Sequence, residues 1–268
     1  MAGSVSAAEE KLRAGDLPAC LLELQADVRR NPADPKPRIF LAQLLMVLGQ
    51  WDRALTQLNV VGEMDASAIP MTRAYAAAIQ CERLRVSIFK GERSPLIFGD
   101  PEPWLALVVQ GLAALAAGRT EQADAMRAEA FEAAPMTAGS LNGTAFEWIA
   151  DADSRLGPIV EVLLNGAYYW VPFQRIADIQ FESPTDLRDL VWLPAQFTWA
   201  NGGQAVGFVP TRYVGTEMAA DSALQLARKT EWASIGSESF AGFGQRVLAT
   251  SAEEVPLLEV RELRLTGS

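Results

Sequence analysis

The chain has 268 residues, half of them hydrophobic and 21% charged, which is ordinary globular composition and excludes extended disorder. Its 33 acidic against 23 basic residues give a net charge of −10, which repels phosphate backbones and anionic lipid, so neither nucleic acid nor a membrane surface is the expected partner. Histidine is absent, which removes imidazole general bases, Ser-His-Asp and Cys-His nucleophile pairs, and the commonest zinc ligand together.

The opening stretch, MAGSVSAAEEKLRAG, puts Glu9 and Glu10 where an export signal needs an unbroken apolar core; no export signal and a cytoplasmic location are expected. From there an internal repeat runs through the first half. AGDLPACLLEL (14–24) and LGQWDRALTQL (48–58) align so that Gly15 and Gly49, Cys20 and Ala54, and Leu24 and Leu58 are each 34 residues apart, the tetratricopeptide period. AGRTEQADAMRAEAFEAAP (117–135) fits the same frame, with Gly118 at the inter-helix position, Ala123 at the small one, and Pro135 in the terminating role of Pro32. Glycine ends the first helix of each pair, a small residue lets the two helices approach, and proline stops the second. Between the second and third units, residues 71–89 read as a helix and KGERSPLIFGDPEP (90–103) as an irregular loop. WLALVVQGLAALAAG (104–118) is too short to span a bilayer and reads as a buried helix.

After about residue 140 the pattern changes. VEVLLNGAYYWVPFQRIADIQFE (160–182) offers two strand-type runs around Asn165-Gly166, a strong hairpin signal. Further strands are predicted at 189–199, 205–213, 231–240, 245–250 and 257–265, with a helical stretch at 218–230. Fifteen of the 22 aromatic residues lie in this half, which carries 9 basic and 16 acidic residues against 14 and 17 before it. The expected fold is therefore α+β: tetratricopeptide-like helical repeats over residues 1–137, then a separate strand-rich, aromatic α+β domain over 140–268.

Candidate chemistry is sparse. Asp151, Asp153 and Arg155 alternate in DADSRLGP, superficially like an oxygen-ligand loop for a divalent cation. Leu156 and Val162 stand where a calcium loop needs glycine and glutamate, so the reading preferred is an acidic pair satisfied by Arg155 and backbone amides. FAGFGQRV (240–247) lacks the rest of a dinucleotide fingerprint and reads as a turn or bulge. Cys20 and Cys81, 61 positions apart on different predicted helices, form no disulfide framework, and both are expected to be unreactive; Cys20 belongs to the core. No cofactor and no metal are expected.

WIADADSRLGPIVEVLLNGAYYWVPFQRI, PTDLRDLVWLPAQF and FVPTRYVGT, following helical repeats, resemble the ImpE family, also called the TagJ or SciE type, accessory proteins of bacterial type VI secretion. The resemblance implies a cytoplasmic, non-enzymatic adaptor that binds the N-terminal helix of the small sheath subunit (TssB, or VipA) and is linked to sheath recycling by the ClpV ATPase. Two surfaces compete for that helix. The groove of a repeat array is lined by the first helix of each pair, which in the second unit nominates Lys36, Ile39, Gln43 and Met46 as exposed contacts. The rival is the aromatic half, through Trp192, Trp199 and Tyr213. The alternative from another class is a carboxylate-dependent metal hydrolase centred on Asp151 and Asp153.

Overall fold

Glycines at left-handed positions set the layout of the first half. In a computed structural model describing residues 6–266, Gly15, Gly49 and Gly118 have φ of 77°, 65° and 74°. Each closes a helix with the same pair of backbone bonds: the glycine N–H donates back three residues and the next N–H back five, as in Gly49 to Met46 and Gln50 to Leu45. Residues 1–5, part of the opening stretch and of the expected helical unit, and residues 267–268 lie outside the described residues. The helices so defined are α1 (Ala7–Arg13), α2 (Leu17–Arg30), α3 (Pro35–Val47), α4 (Trp51–Met64), α5 (Ile69–Phe89), α6 (Pro103–Ala116) and α7 (Thr120–Ala133).

The pairs α1–α2 and α3–α4 are 34 residues apart, and α6–α7 repeats their pattern 69 residues after α3–α4. Cys20, Ala54 and Ala123 are wholly buried, and so, seven residues before each turn glycine, are Ala8, Ala42 and Gly111. That second row of small residues repeats with the same 34-residue spacing from Ala8 to Ala42. Leu24 and Leu58 are buried one turn after the first row, and the third unit has Arg127 in their place, 2% exposed and paired with Asp124. Helix α5 ends on the same glycine turn, Gly91 at φ 72°, but no second helix follows it.

Instead the chain passes through β1 (Leu96–Ile97) inside the expected loop, where it pairs in parallel with Tyr169 and Trp170. The second half then supplies β2 (Gly139–Leu141), β3 (Thr144–Phe146), β4 (Ile149–Asp151), β5 (Ile159–Leu164), β6 (Ala167–Pro172), β7 (Ile176–Phe181), β8 (Trp192–Trp199) and β9 (Gln204–Pro210). After the four-residue helix α8 (Ser222–Gln225) come β10 (Thr230–Ser234), β11 (Phe240–Gly244), β12 (Val247–Thr250), β13 (Glu254–Pro256) and β14 (Glu262–Leu265). The helix expected over 218–230 shrinks to α8 because the chain turns left-handed at Ala227, φ 51°. Nine strands form one sheet in the order β1-β6-β5-β9-β8-β7-β14-β2-β3, antiparallel except at β1, beside a three-stranded sheet β13-β12-β4 and the ribbon β10-β11. Asn165 and Gly166, both with positive φ, make the tight β5–β6 turn.

The central strands are buried on both faces. Val160, Val162 and Leu164 of β5 face a core whose buried residues all belong to the second half, with Phe98 packed against it. Ile159 and Leu163, with Tyr168, Trp170 and Trp192, face the helices and merge with Leu44, Met46 and Ile79 into one shared core. The alternation of β5 puts Glu161 on that same helix-facing side, fully buried.

Candidate functional site

The aromatic residues nominated as a partner surface are interior. Trp192 is wholly buried and packs against Trp51 and Tyr75 of the helical half. Trp199, 7% exposed, stacks on Phe197 and meets Phe98, and Tyr213, 1% exposed, points into a polar cluster. The expectation that they form an exposed contact surface is therefore corrected: each lies on a face that the rest of the chain covers. In the repeat groove the correction is partial. Lys36 is exposed and Ile39 half-buried, whereas Gln43 and Met46 are 8% and 1% exposed. Every residue of α3 from Leu41 to Val47 is buried. Helices α2 and α4 cover two sides, and the short Leu187–Leu190 turn before β8 covers the third. The groove in which a partner helix was expected is thus occupied, at this level of α3, by the chain's own second half. Arg212 fixes the arrangement by donating to the carbonyls of Val47, at the end of α3, and Gln225, at 2.9 and 2.5 Å.

Beneath these aromatics lies a buried ionic cluster that joins the halves. Arg85 of α5 donates to both oxygens of Glu161 at 2.5 and 2.9 Å, and to Glu82 at 2.8 Å. Arg246 bridges Glu161 and Asp151 and donates to the Pro210 carbonyl. Tyr168 donates to Glu161, Trp170 to the Tyr168 hydroxyl at 2.7 Å, Trp192 to Glu82 at 3.1 Å and Tyr213 to Asp151 at 3.1 Å. Two guanidinium groups, Arg85 and Arg246, are thus paired with the carboxylates of Glu82, Glu161 and Asp151, while the neighbouring Arg212 reaches backbone carbonyls. Asp153 is held by Arg155 at 2.8 Å and by the Gly242 amide at 3.0 Å, the arrangement the sequence suggests for this acid; for Asp151 the decisive partner is the distant Arg246.

This geometry bears on chemistry. Asp151 and Asp153 are fully engaged by their own arginines and amides, and the described residues contain no group of three or more Cys, Asp or Glu side chains that could hold a metal ion. Burial pushes the Asp151 carboxyl up to about 6 against the pull of Arg246. Burial acts on Glu161 in the same sense, but Arg85 and Arg246 together more than reverse it and leave that carboxyl at about 2. Burial also raises both Cys20 and Cys81 to about 11, leaving the thiols unreactive.

The two carboxylates predict opposite pH dependences. Between its ordinary value of 3.8 and about 6, Asp151 binds a proton in the folded state that it does not bind unfolded, so its contribution to stability grows as pH falls through that window. Glu161 contributes stability that is present above its ordinary 4.5 and lost as pH falls toward 2. Urea unfolding of the Asp151→Asn protein, compared with the unmodified chain from about pH 7 to pH 3, should lose the component that rises on acidification while keeping the acid loss. Identical pH profiles for the two proteins would contradict the assignment.

A groove of about 550 Å³ runs between α5 and strands β8 and β9, reaching the β5–β6 turn. Its lining is mainly apolar, and Val206 stands on its strand side, 73% exposed.

Helix pairs, two of them at a 34-residue spacing, joined through a shared core and a buried ionic cluster to a large antiparallel sheet, define an α+β scaffold with an apolar groove between α5 and that sheet. The ImpE protein family model matches residues 143–264. The type VI secretion system accessory component TagJ of Pseudomonas aeruginosa is 49% identical over 256 residues, covering 96% of this chain and 90% of that one. The chain belongs to the ImpE family. A crystal structure of a Vibrio parahaemolyticus protein shares the fold, with a TM-score of 0.89 over 98% of each chain at 23% identity.

Proposed function

We propose that the protein is a non-enzymatic accessory component of a bacterial type VI secretion system, acting in the cytoplasm as an adaptor for the small sheath subunit TssB. In this reading it captures the N-terminal helix of that subunit and thereby assists ClpV-linked sheath recycling. The observation that carries the accessory role is the near full-length similarity, at 49% identity, to a protein named for that role. Two features of the chain agree with it. The carboxylates on which a metal hydrolase would depend, Asp151 and Asp153, are neutralised internally by Arg246 and Arg155. No helix among the described residues is long and apolar enough to cross a membrane.

The test is a pull-down with the tagged full-length chain from a type VI secreting bacterium, followed by titration with a synthetic peptide of the first TssB helix. The sheath subunit should be identified in the captured material, and the peptide should bind the purified chain directly. Failure of both assays would remove the sheath-partner reading.

A further inference from the structure

We propose that the open groove between α5 and the β8–β9 strands is the seat of the partner, and that its occupant is a single amphipathic helix; the proposal rests on the adaptor reading above. The helical wall presents the half-buried Ala74 and Ala77, with Ala78 and Cys81 buried at its base, the i, i+3, i+4, i+7 positions of one face of α5. Without long side chains there, a second helix can bring its backbone close, since interaxial distance follows the size of the residues at the contact. The chain packs its own helices in this way: Cys20, Ala54 and Ala123 are buried in the α1–α2, α3–α4 and α6–α7 pairs. Helix α5 is followed by no such mate, because after the Gly91 turn the chain goes to β1.

The strand wall has a separate cause. β5 stops at the Asn165-Gly166 turn, so it pairs with β9 only at Leu163 opposite Phe208, while β9 begins further out at Gln204. Gly207 permits the close approach at that crossing, where a side chain would stand 2.5 Å from the Leu163 carbonyl oxygen. The result is a trough with Leu163 and Phe208 in its lining and Val206 at its edge, deep enough for large aliphatic side chains from a helix that itself meets a wall of alanines.

Charge specifies the occupant further. Arg73 on the helical wall and Glu182 on the strand side are both exposed. Nearby Arg83 and Arg188 are paired with Asp52 and Asp186, whereas Arg73 and Glu182 have no ion-pair partner among the described residues. A helix with a stripe of large aliphatic residues, an acidic residue on the flank facing Arg73 and a basic residue on the flank facing Glu182 complements both walls.

The experiment is a fluorescence anisotropy titration of the labelled TssB first-helix peptide against the full chain and three variants. Val206→Asp, at an exposed position, and Ala77→Phe, which fills the trough, should each weaken binding at least tenfold. Ile39→Asp, on the α3 surface, should leave it unchanged. Thermal unfolding of each variant is measured alongside; should Ala77→Phe prove unstable, Val206→Asp decides. Full affinity in a folded Val206→Asp protein, or loss in Ile39→Asp instead, overturns the groove assignment while leaving the adaptor reading standing. No binding of the peptide to the unmodified chain takes both down.

Discussion

Replacing Arg246 with methionine is expected to destabilise the protein by about 3 to 5 kcal/mol, the usual scale for removing one partner of a buried ion pair. Arg246 is fully buried and is the group that links Asp151 of β4 to Glu161 of β5. Methionine fills much of the volume, so the loss is electrostatic: Asp151 keeps only its Tyr213 and amide donors, and Glu161 keeps Arg85 and Tyr168. Because Asp151 loses its cation, adding Asp151→Asn to Arg246→Met should recover part of the stability, whereas adding Glu161→Gln should not, since that change strips Arg85 of its bidentate partner. Urea denaturation of the unmodified chain, Arg246→Met and the two double variants measures these differences. A cost below about 1 kcal/mol for Arg246→Met, the range of solvent-exposed pairs, would mean that water screens the cluster.

The uneven legibility of the sequence has physical causes that this cluster makes plain. The turns at Gly15, Gly49 and Gly118 could be read because a left-handed backbone position strongly favours one residue type, and the Asn165-Gly166 hairpin for the same reason. Arg85 and Glu161 are 76 positions apart and Arg246 and Glu161 are 85, so no local pattern could pair them. A signal was nonetheless present: in IVEVLL, Glu161 is the charged residue in an otherwise apolar strand, and a charge buried on both faces requires a partner. The misjudged exposure of Gln43 and Met46 had a comparable signal. LAQLLMV, residues 41–47, is apolar around nearly the whole helix, the mark of a helix covered on every side and not of one lining a groove. The open groove was hidden for another reason, since it is formed by small residues of α5 brought against a strand more than a hundred residues later in the chain, and alanines at helical spacing look like ordinary packing until the missing neighbour is seen.

A fragment comprising residues 140–268 is expected to lack a cooperative folding transition, despite containing the large sheet except β1 and Gly139 of β2. The helix-facing side of that sheet carries Ile159, Leu163, Tyr168, Trp170 and Trp192, all buried in the core shared with α3, α4 and α5. Exposing five such side chains at about 1.5 to 3 kcal/mol each forfeits on the order of 10 kcal/mol, comparable with the entire stability of a typical domain. The polar side compounds the loss. Without Arg85 and Glu82, Glu161 keeps Arg246 as its cation but loses the bidentate bond, and the Trp192 indole N–H loses its acceptor. Arg212 likewise loses the Val47 carbonyl, through which it caps α3. The fragment should therefore show strand-type far-ultraviolet dichroism with little near-ultraviolet signal, bind a hydrophobic dye, and unfold in urea without a sigmoidal step. Adding residues 6–137 in trans should restore the near-ultraviolet signal if the shared core can reassemble, because the complement supplies both the apolar cover and Arg85. A sharp, dye-free unfolding transition in the isolated fragment would show instead that the sheet's other core, from Val160 to Leu263, is sufficient by itself, and that the two halves are independent domains.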